Sequence, residues 1–250
     1  MLGLGNSLKK TGLITPGIVT GNLVMKHMYP AGAVQPLSDG AAYFDGAGTY
    51  VDVGTNFETT VFNAPFSIAF WVKAVDGRPS AIEYLFGTKD GNDSIWGRIE
   101  TDGDIQLFYK EGSAETALVA SAYFDNGATG WTHLAFTISD SAQAIYANGT
   151  SIATSTDSLT TSGFAQDTNR NFVIGSRNNA GTVEDSLDGY ICNFGIWSDV
   201  LTQPEIKSIM FKQYADLTTG TDSESDDLIS WWNLDTDAND STGTNNGTLA

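Results

Sequence analysis

Nine short runs rich in β-branched and aromatic residues recur between residues 43 and 176, each bounded by Gly, Asp, Asn or Ser. They are Tyr43–Val53, Pro65–Ala74, Tyr84–Thr88, Ser94–Glu100, Ile105–Lys110, Thr116–Tyr123, Trp131–Ile138, Gln143–Ala147 and Phe172–Ser176. Strands of this length must pair and pack face to face to bury their apolar sides, so the spacing specifies a sandwich or barrel. Within Phe66–Lys73, alternation sends Phe66, Ile68, Phe70 and Val72 to the core and Ser67, Ala69, Trp71 and Lys73 to the other face. Trp71 is read as part of a second apolar cluster on that face, ahead of an outward sugar platform. Asp102-Gly103 and Asn148-Gly149 tolerate the positive φ of a type I′ hairpin, and each is expected to join two strands.

One helix is predicted. Thr202-Gln-Pro-Glu205 is a capping box with Pro in the first turn, and Ile206, Ile209, Met210 and Tyr214 follow at helical spacing, so its apolar stripe should lie against the sandwich. The chain divides into an extended N-terminal arm (1–38), the sandwich (39–215), a polar linker (216–227) and a terminal strand and loop (228–250) packed back on the sandwich. A β-sandwich of 250 residues is compatible with one domain, and 13 Phe, 9 Tyr and 6 Trp suffice to fill the space between two sheets.

Thirty acidic residues against 12 basic ones give a formal charge of -18, a field that repels phosphate backbones and anionic membranes. Nucleic acid is excluded as a partner on that ground. The carboxylates suit a hard cation such as Ca²⁺, but a solubility device or an adaptation to salty surroundings is the preferred account of them. Cys192 is the single cysteine, which removes any intramolecular disulfide or cysteine-based zinc site, and its apolar surroundings predict an inert buried thiol. The N-terminal residues lack the apolar core of a signal peptide, so classical secretion is not expected, and no run reaches the length of a membrane span.

The order of these pieces resembles the laminin-G and pentraxin-like branch of the concanavalin A-like superfamily. The resemblance is carried by Ala42–Gly54, Pro65–Val72, Gly130-Trp-Thr-His-Leu-Ala-Phe136, Ile145-Tyr-Ala-Asn-Gly-Thr150, Phe172–Ser176, Asp188-Gly-Tyr-Ile191 and Leu201–Ile206, and it covers about residues 41–212. It implies an all-β jelly-roll sandwich of two antiparallel sheets with one short C-terminal helix. Leu228–Asp235 resembles an element that commonly precedes the first strand of such domains; either a truncated second domain begins there or, the favoured reading, the terminal strand folds back to the N-terminal edge as in a circular permutation.

Superfamily glycosidases carry carboxylates at alternate positions of one strand, and Glu100-Thr-Asp-Gly-Asp104 imitates that spacing. The Asp-Gly turn within it and the Asp at the third position depart from the pattern, so the chain is expected not to be an enzyme. Two histidines, His27 and His133, define no metal site or catalytic triad. The resemblance implies Ca²⁺ as a cofactor, with Asp45, Asp52 and Asp188 as metal candidates, against the alternative of solvated turn carboxylates. Ligand recognition is expected on two loops: Asp90, Asn92 and Asp93 beside Trp96, and Arg177 with Asn178 and Asn179, where amides and carboxylates fix hydroxyls and an aromatic stacks on a sugar.

The expected function is a non-enzymatic carbohydrate-binding or adhesion module within a larger assembly. The opening Met-Leu-Gly-Leu-Gly-Asn-Ser-Leu, together with the laminin-G-like domain, resembles structural proteins of tailed bacteriophages. That implies a virion location as a capsid decoration, fibre or spike, with other virion subunits or further copies of itself as partners and host glycans as ligands; a cell-surface or extracellular location by a non-classical route is the alternative. The competing readings are a structural virion protein without a ligand and a glycoside hydrolase of the same superfamily.

Overall fold

A computed structural model of the chain describes residues 35–54, 61–62, 65–89, 93–159, 170–217 and 224–250. In chain order the strands are β1 (Ala42–Asp45), β2 (Val51–Asp52), β3 (Phe66–Ala74), β4 (Glu83–Lys89), β5 (Asp93–Ile99), β6 (Ile105–Glu111), β7 (Ala114–Ala120) and β8 (Thr132–Ile138). There follow β9 (Gln143–Ala147), β10 (Thr150–Ser155), β11 (Val173–Ile174), β12 (Arg177–Asn179), β13 (Thr182–Glu184), β14 (Asp188–Trp197), helix α1 (Gln203–Ile209), β15 (Leu228–Trp232) and β16 (Thr248–Leu249). The first sheet runs β1-β14-β3-β8-β9-β10, with β15 also on β14. The second runs β16-β2-β11-β4-β5-β6-β7, with β12 beside β4 and β13 beside β12. Pairing is antiparallel except that β12 runs parallel to β4. This is the jelly-roll sandwich expected. Most of the proposed arm (residues 1–34) and part of the proposed linker (218–223) lie outside the described residues.

Phe66, Ile68, Phe70 and Val72 point between the sheets. Phe70 stacks on Phe194 at 4.9 Å, and Phe86 and Phe172 complete the aromatic centre. The other face of β3 is roofed by the segment that carries α1. Ser67 Oγ donates to the Asp199 carbonyl and accepts from Leu201 N–H, while Ala69 packs with Trp197, Ile206, Ile209 and Trp231. Trp71 packs on Cys192 and Met210, and its indole donates to the Met210 carbonyl at 3.1 Å. An indole of this size removes roughly 150 to 250 Å² from water, worth about 4 to 6 kcal/mol before ordering entropy is subtracted.

Thr202 caps α1 in a full capping box with Glu205, and Ile206 and Ile209 are buried. Tyr214 leaves the expected stripe. The chain tightens after Ile209, with Phe211 N–H on the Ser208 carbonyl and Lys212 N–H on that of Ile209, so Tyr214 opens a separate 3-10 turn and stays at the surface. The run Tyr43–Val53 also divides. Gly46 and Gly48 break it into β1 of the first sheet and β2 of the second. Of the two predicted I′ hairpins, Asn148 (φ 49°) and Gly149 (φ 71°) form one. Asp102 keeps a negative φ, and only Gly103 is left-handed, closing a longer turn through Gly103 N–H to the Glu100 carbonyl and Glu100 N–H to the Asp104 carbonyl.

β14 organises the edge of the first sheet. Its N-terminal half pairs with β1 and its C-terminal half with β15, so segments from the two ends of the described chain follow one another along one side of one strand. The bulge at Asn193, φ 49°, marks the change of partner. The C-terminal segment also reaches the second sheet, where Thr248 and Leu249 pair with Asp52 and Val51. Among the described residues no helix is long and apolar enough to cross a membrane.

Candidate functional site

The outer face of the first sheet is roofed by α1 over part of its area only. Beyond it, alternation along β1 and β14 turns Tyr43, Asp45, Asp188 and Tyr190 outward, and the register sets Tyr43 opposite Tyr190 and Asp45 opposite Asp188. The two tyrosine rings lie 4.9 Å apart and remain 49% and 37% exposed. Lys73, paired with Tyr190 across β3, holds its ammonium 6.0 Å from the Tyr190 ring, and Trp131 lies 6.4 Å from it on the same side. Tyr43 donates its hydroxyl to Asp188 Oδ1 at 3.2 Å, and that bond raises the phenol pKa. Asp45 Oδ1 accepts from Ala47 N–H at 2.9 Å, which holds its carboxyl below the usual range. Like charges set directly opposite one another on paired strands oppose folding, so the Asp45–Asp188 pair carries a small energetic penalty.

A cleft of about 490 Å³ opens beside this pair. Asp45 and Asp188 form one wall; Glu83 at the start of β4, Glu184 at the end of β13 and Asp185 contribute the other. Gly46 allows the close approach, since with φ 68° a Cβ there would stand 3.1 Å from that of Asp188. Glu83 Oε2 is buried with no hydrogen-bond partner, and desolvation lifts its carboxyl to about 7.

Behind the far wall, aromatic and guanidinium groups form a continuous stack on the outer face of the second sheet. The Arg177 guanidinium lies 4.1 Å above the Tyr84 ring, Arg98 lies 4.3 Å above Trp96, and Trp96 stacks on Phe108 at 4.7 Å and 8°. Both arginines donate to the Tyr84 hydroxyl, and Arg177 also pairs with Glu184 and, at 3.7 Å, with Asp185. Trp96 is therefore interior to a stack and only 7% exposed, with its ring faces occupied by Phe108 and Arg98.

The strands that flank the two loops singled out from sequence are neighbours in the second sheet. Asn178 and Asn179 pair with Thr88 and Lys89, and Lys89 with Ser94, which sets the Arg177–Asn179 strand beside the end of β4 that pairs with the start of β5. Asn178 Oδ1 accepts from Gly181 N–H within its own hairpin, and Asp93 Oδ1 accepts from Gly112 N–H. Asp90 and Asn92 lie outside the described residues. The three metal candidates separate: Asp45 and Asp188 are neighbours, whereas Asp52 accepts from Asn171 Nδ2 with both oxygens, at 2.8 and 2.7 Å, and from Gly54 N–H. A calcium ion takes about six to eight oxygens, and among the described residues no three acidic, His or Cys side chains are grouped to hold a metal. The three aspartates do not form one ligand set.

The glycosidase-like spacing falls on a hairpin turn between β5 and β6. Glu100 pairs with Arg98, and Asp104 Oδ1 accepts from Ala122 N–H, so neither belongs to an open strand face. Cys192 is fully buried and its thiol is pushed up to about 12. The residues that sequence reasoning missed are Tyr43, Tyr190, Glu83, Glu184 and Asp185. For the tyrosines the signal was present, because each alternates with a core residue, Phe44 and Ile191.

Two antiparallel sheets packed face to face in jelly-roll order define the fold class, an all-β sandwich. The chain belongs to the concanavalin A-like lectin/glucanases superfamily, whose Laminin_G_3 family matches residues 45–207. No curated protein sequence matches it. Among solved structures, the Ruminococcus gnavus IT-sialidase CBM40 aligns with TM-score 0.57 at 18% identity, over 69% of this chain and 97% of that one. A Bacteroides ovatus protein proposed to bind carbohydrate aligns with TM-score 0.59 at 22% identity, over 84% of this chain and 57% of that one. The native heptameric SAP-like pentraxin of Limulus polyphemus aligns with TM-score 0.50 at 17% identity, over 67% of this chain and 80% of that one. At these identities the likeness establishes the fold.

Proposed function

We propose that the chain is a non-catalytic carbohydrate-binding module whose glycan lies on the Tyr43–Tyr190 pair and turns its hydroxyls to Asp45 and Asp188. The observation that carries this reading is the exposed ring pair in register with two carboxylates. Aromatic faces receive the C–H faces of sugar rings, and convergent polar groups at a cleft edge fix their orientation. Superfamily membership supports the reading, as do the carbohydrate-binding descriptions of the Ruminococcus and Bacteroides structures. The position of Glu100 and Asp104 on a turn supports a non-enzymatic role, because a paired-acid mechanism needs carboxylates held rigidly across an open cleft. The finer reading is a virion decoration, fibre or spike component that touches host glycans, and it rests on the resemblance of residues 1–8 to phage structural proteins.

The test is a glycan array on the purified protein, run with Ca²⁺ and with excess EDTA, beside the Tyr43→Ala/Tyr190→Ala variant. Selective binding lost in the variant supports the site; loss in EDTA adds calcium to it. Absence of binding by folded protein in both conditions favours the purely structural role.

A further inference from the structure

The charge of the cleft decides which glycans it admits, an inference that rests on the carbohydrate-binding reading above. Asp45, Asp188, Glu83, Glu184 and Asp185 all face one cleft, and Arg177, which adjoins it, is 8% exposed and already engaged by Glu184 and Asp185. Lys73 stands on the platform side, over Tyr190. A carboxylate only accepts hydrogen bonds, and Asp45 and Asp188 present theirs at the edge of the ring pair. Sugar hydroxyls supply donors. The carboxylate of a sialic or uronic acid, or a sulfate ester, supplies further acceptors and a like charge. A glycan on the Tyr43–Tyr190 pair is in contact range of Asp188, well inside a Debye length of about 8 to 10 Å, and the chain as a whole carries -18.

We propose that this cleft takes neutral glycans through their hydroxyls and discriminates against sialylated, uronic and sulfated ones. The sialyllactose bound by the Ruminococcus CBM40 is then a property of that protein, not of the shared fold.

The experiment is an array of matched pairs, each a neutral oligosaccharide and the same chain ending in α2,3- or α2,6-linked sialic acid. At low salt, about 50 mM, the sialylated member of each bound pair should bind at least about tenfold more weakly, and raising salt to about 0.5 M should narrow the gap. Asp188→Asn keeps an acceptor for Tyr43 and should narrow it several-fold at low salt; Asp45→Asn, also able to accept from Ala47 N–H, provides a second variant, with thermal unfolding reporting that each is folded. Equal or tighter binding of the sialylated members by the wild-type protein overturns the selectivity while leaving carbohydrate binding intact. Binding to no member of any pair overturns both.

Discussion

The side-chain amide of Asn193 donates to the Leu37 carbonyl at 3.0 Å, while the backbone N–H of the same residue donates to the Asn233 carbonyl at 3.0 Å. One bulged residue thus ties down the segments leading into β1 and out of β15, where they succeed one another along β14. Asn193→Ala removes the side-chain bond and leaves a β-carbon at φ 49°, so it should lower unfolding free energy by about 1 to 3 kcal/mol. Asn193→Gly loses the same bond but relaxes the backbone and should fall closer to wild type, as urea unfolding will resolve.

Gly175 has φ 82°, and a Cβ there would stand 2.2 Å from the Phe44 ring. Gly175→Ala should therefore cost more than about 3 kcal/mol or prevent soluble expression. Adding Phe44→Ala opens the space but keeps the backbone strain. A double-mutant cycle should accordingly give an interaction energy of about 1 to 3 kcal/mol, with the pair less damaging than the sum.

Two groups shielded from water, His133 and Glu83, set opposing trends in acid stability. Burial lowers His133 from 6.5 to about 3, so the unfolded chain binds its proton first and stability falls as pH drops from about 6.5 towards 3, by up to about 1.4 kcal/mol per unit. Glu83 works the other way: its folded pKa is raised to about 7, so the native state takes up a proton first and gains stability as pH falls from about 7 to 4.5. The two trends oppose each other between pH 6.5 and 4.5, and below 4.5 the loss due to His133 is no longer offset. His133→Phe should flatten the acid limb of a pH series of thermal unfolding, and Glu83→Gln should steepen the decline between pH 6.5 and 4.5.

Asp240 holds the C-terminal loop. It accepts from the N–H groups of Trp231, Thr242 and Asn245 at 2.9, 3.0 and 2.9 Å, and these bonds with that of the Thr242 hydroxyl outweigh desolvation and leave its carboxyl below the usual range. Its contribution is present above the unfolded pKa and lost as pH falls through the folded one. Asp240→Ala should cost about 2 to 4 kcal/mol and release β16, with increased hydrogen exchange at Thr248 and Leu249 as the check.

Trp96 and Tyr190 should separate stability from binding. Trp96→Ala empties the Phe108–Arg98 stack and should destabilise by about 2 to 4 kcal/mol while the folded fraction keeps its glycan affinity. Tyr190→Ala, half-exposed, should change stability by less than about 1 kcal/mol and abolish binding. Denaturation and glycan titration on the same preparations decide both.

Local rules carried the fold a long way. The period-2 alternation of Phe66–Lys73, the Thr202–Glu205 capping box and the Asn148-Gly149 turn are each decided within a few residues, where φ preferences and side-chain parity act directly. Parity also assigns Tyr43, Trp71, Trp96 and Tyr190 to outer sheet faces. Which outer faces are then covered depends on elements distant in sequence. Segment 199–217 roofs Trp71, and Phe108 of β6 closes over Trp96, while nothing described covers Tyr43 and Tyr190 to the same extent. In the same way, Asp45 and Asp188 are 143 positions apart and meet only through the β1–β14 register, while Asp52, seven positions from Asp45, leaves for the other sheet when Gly46 and Gly48 break the run. Backbone preference and hydrophobic period are properties of a segment, and the sequence alone determined them; exposure and the convergence of charge are properties of packing, and only the tertiary structure decided those.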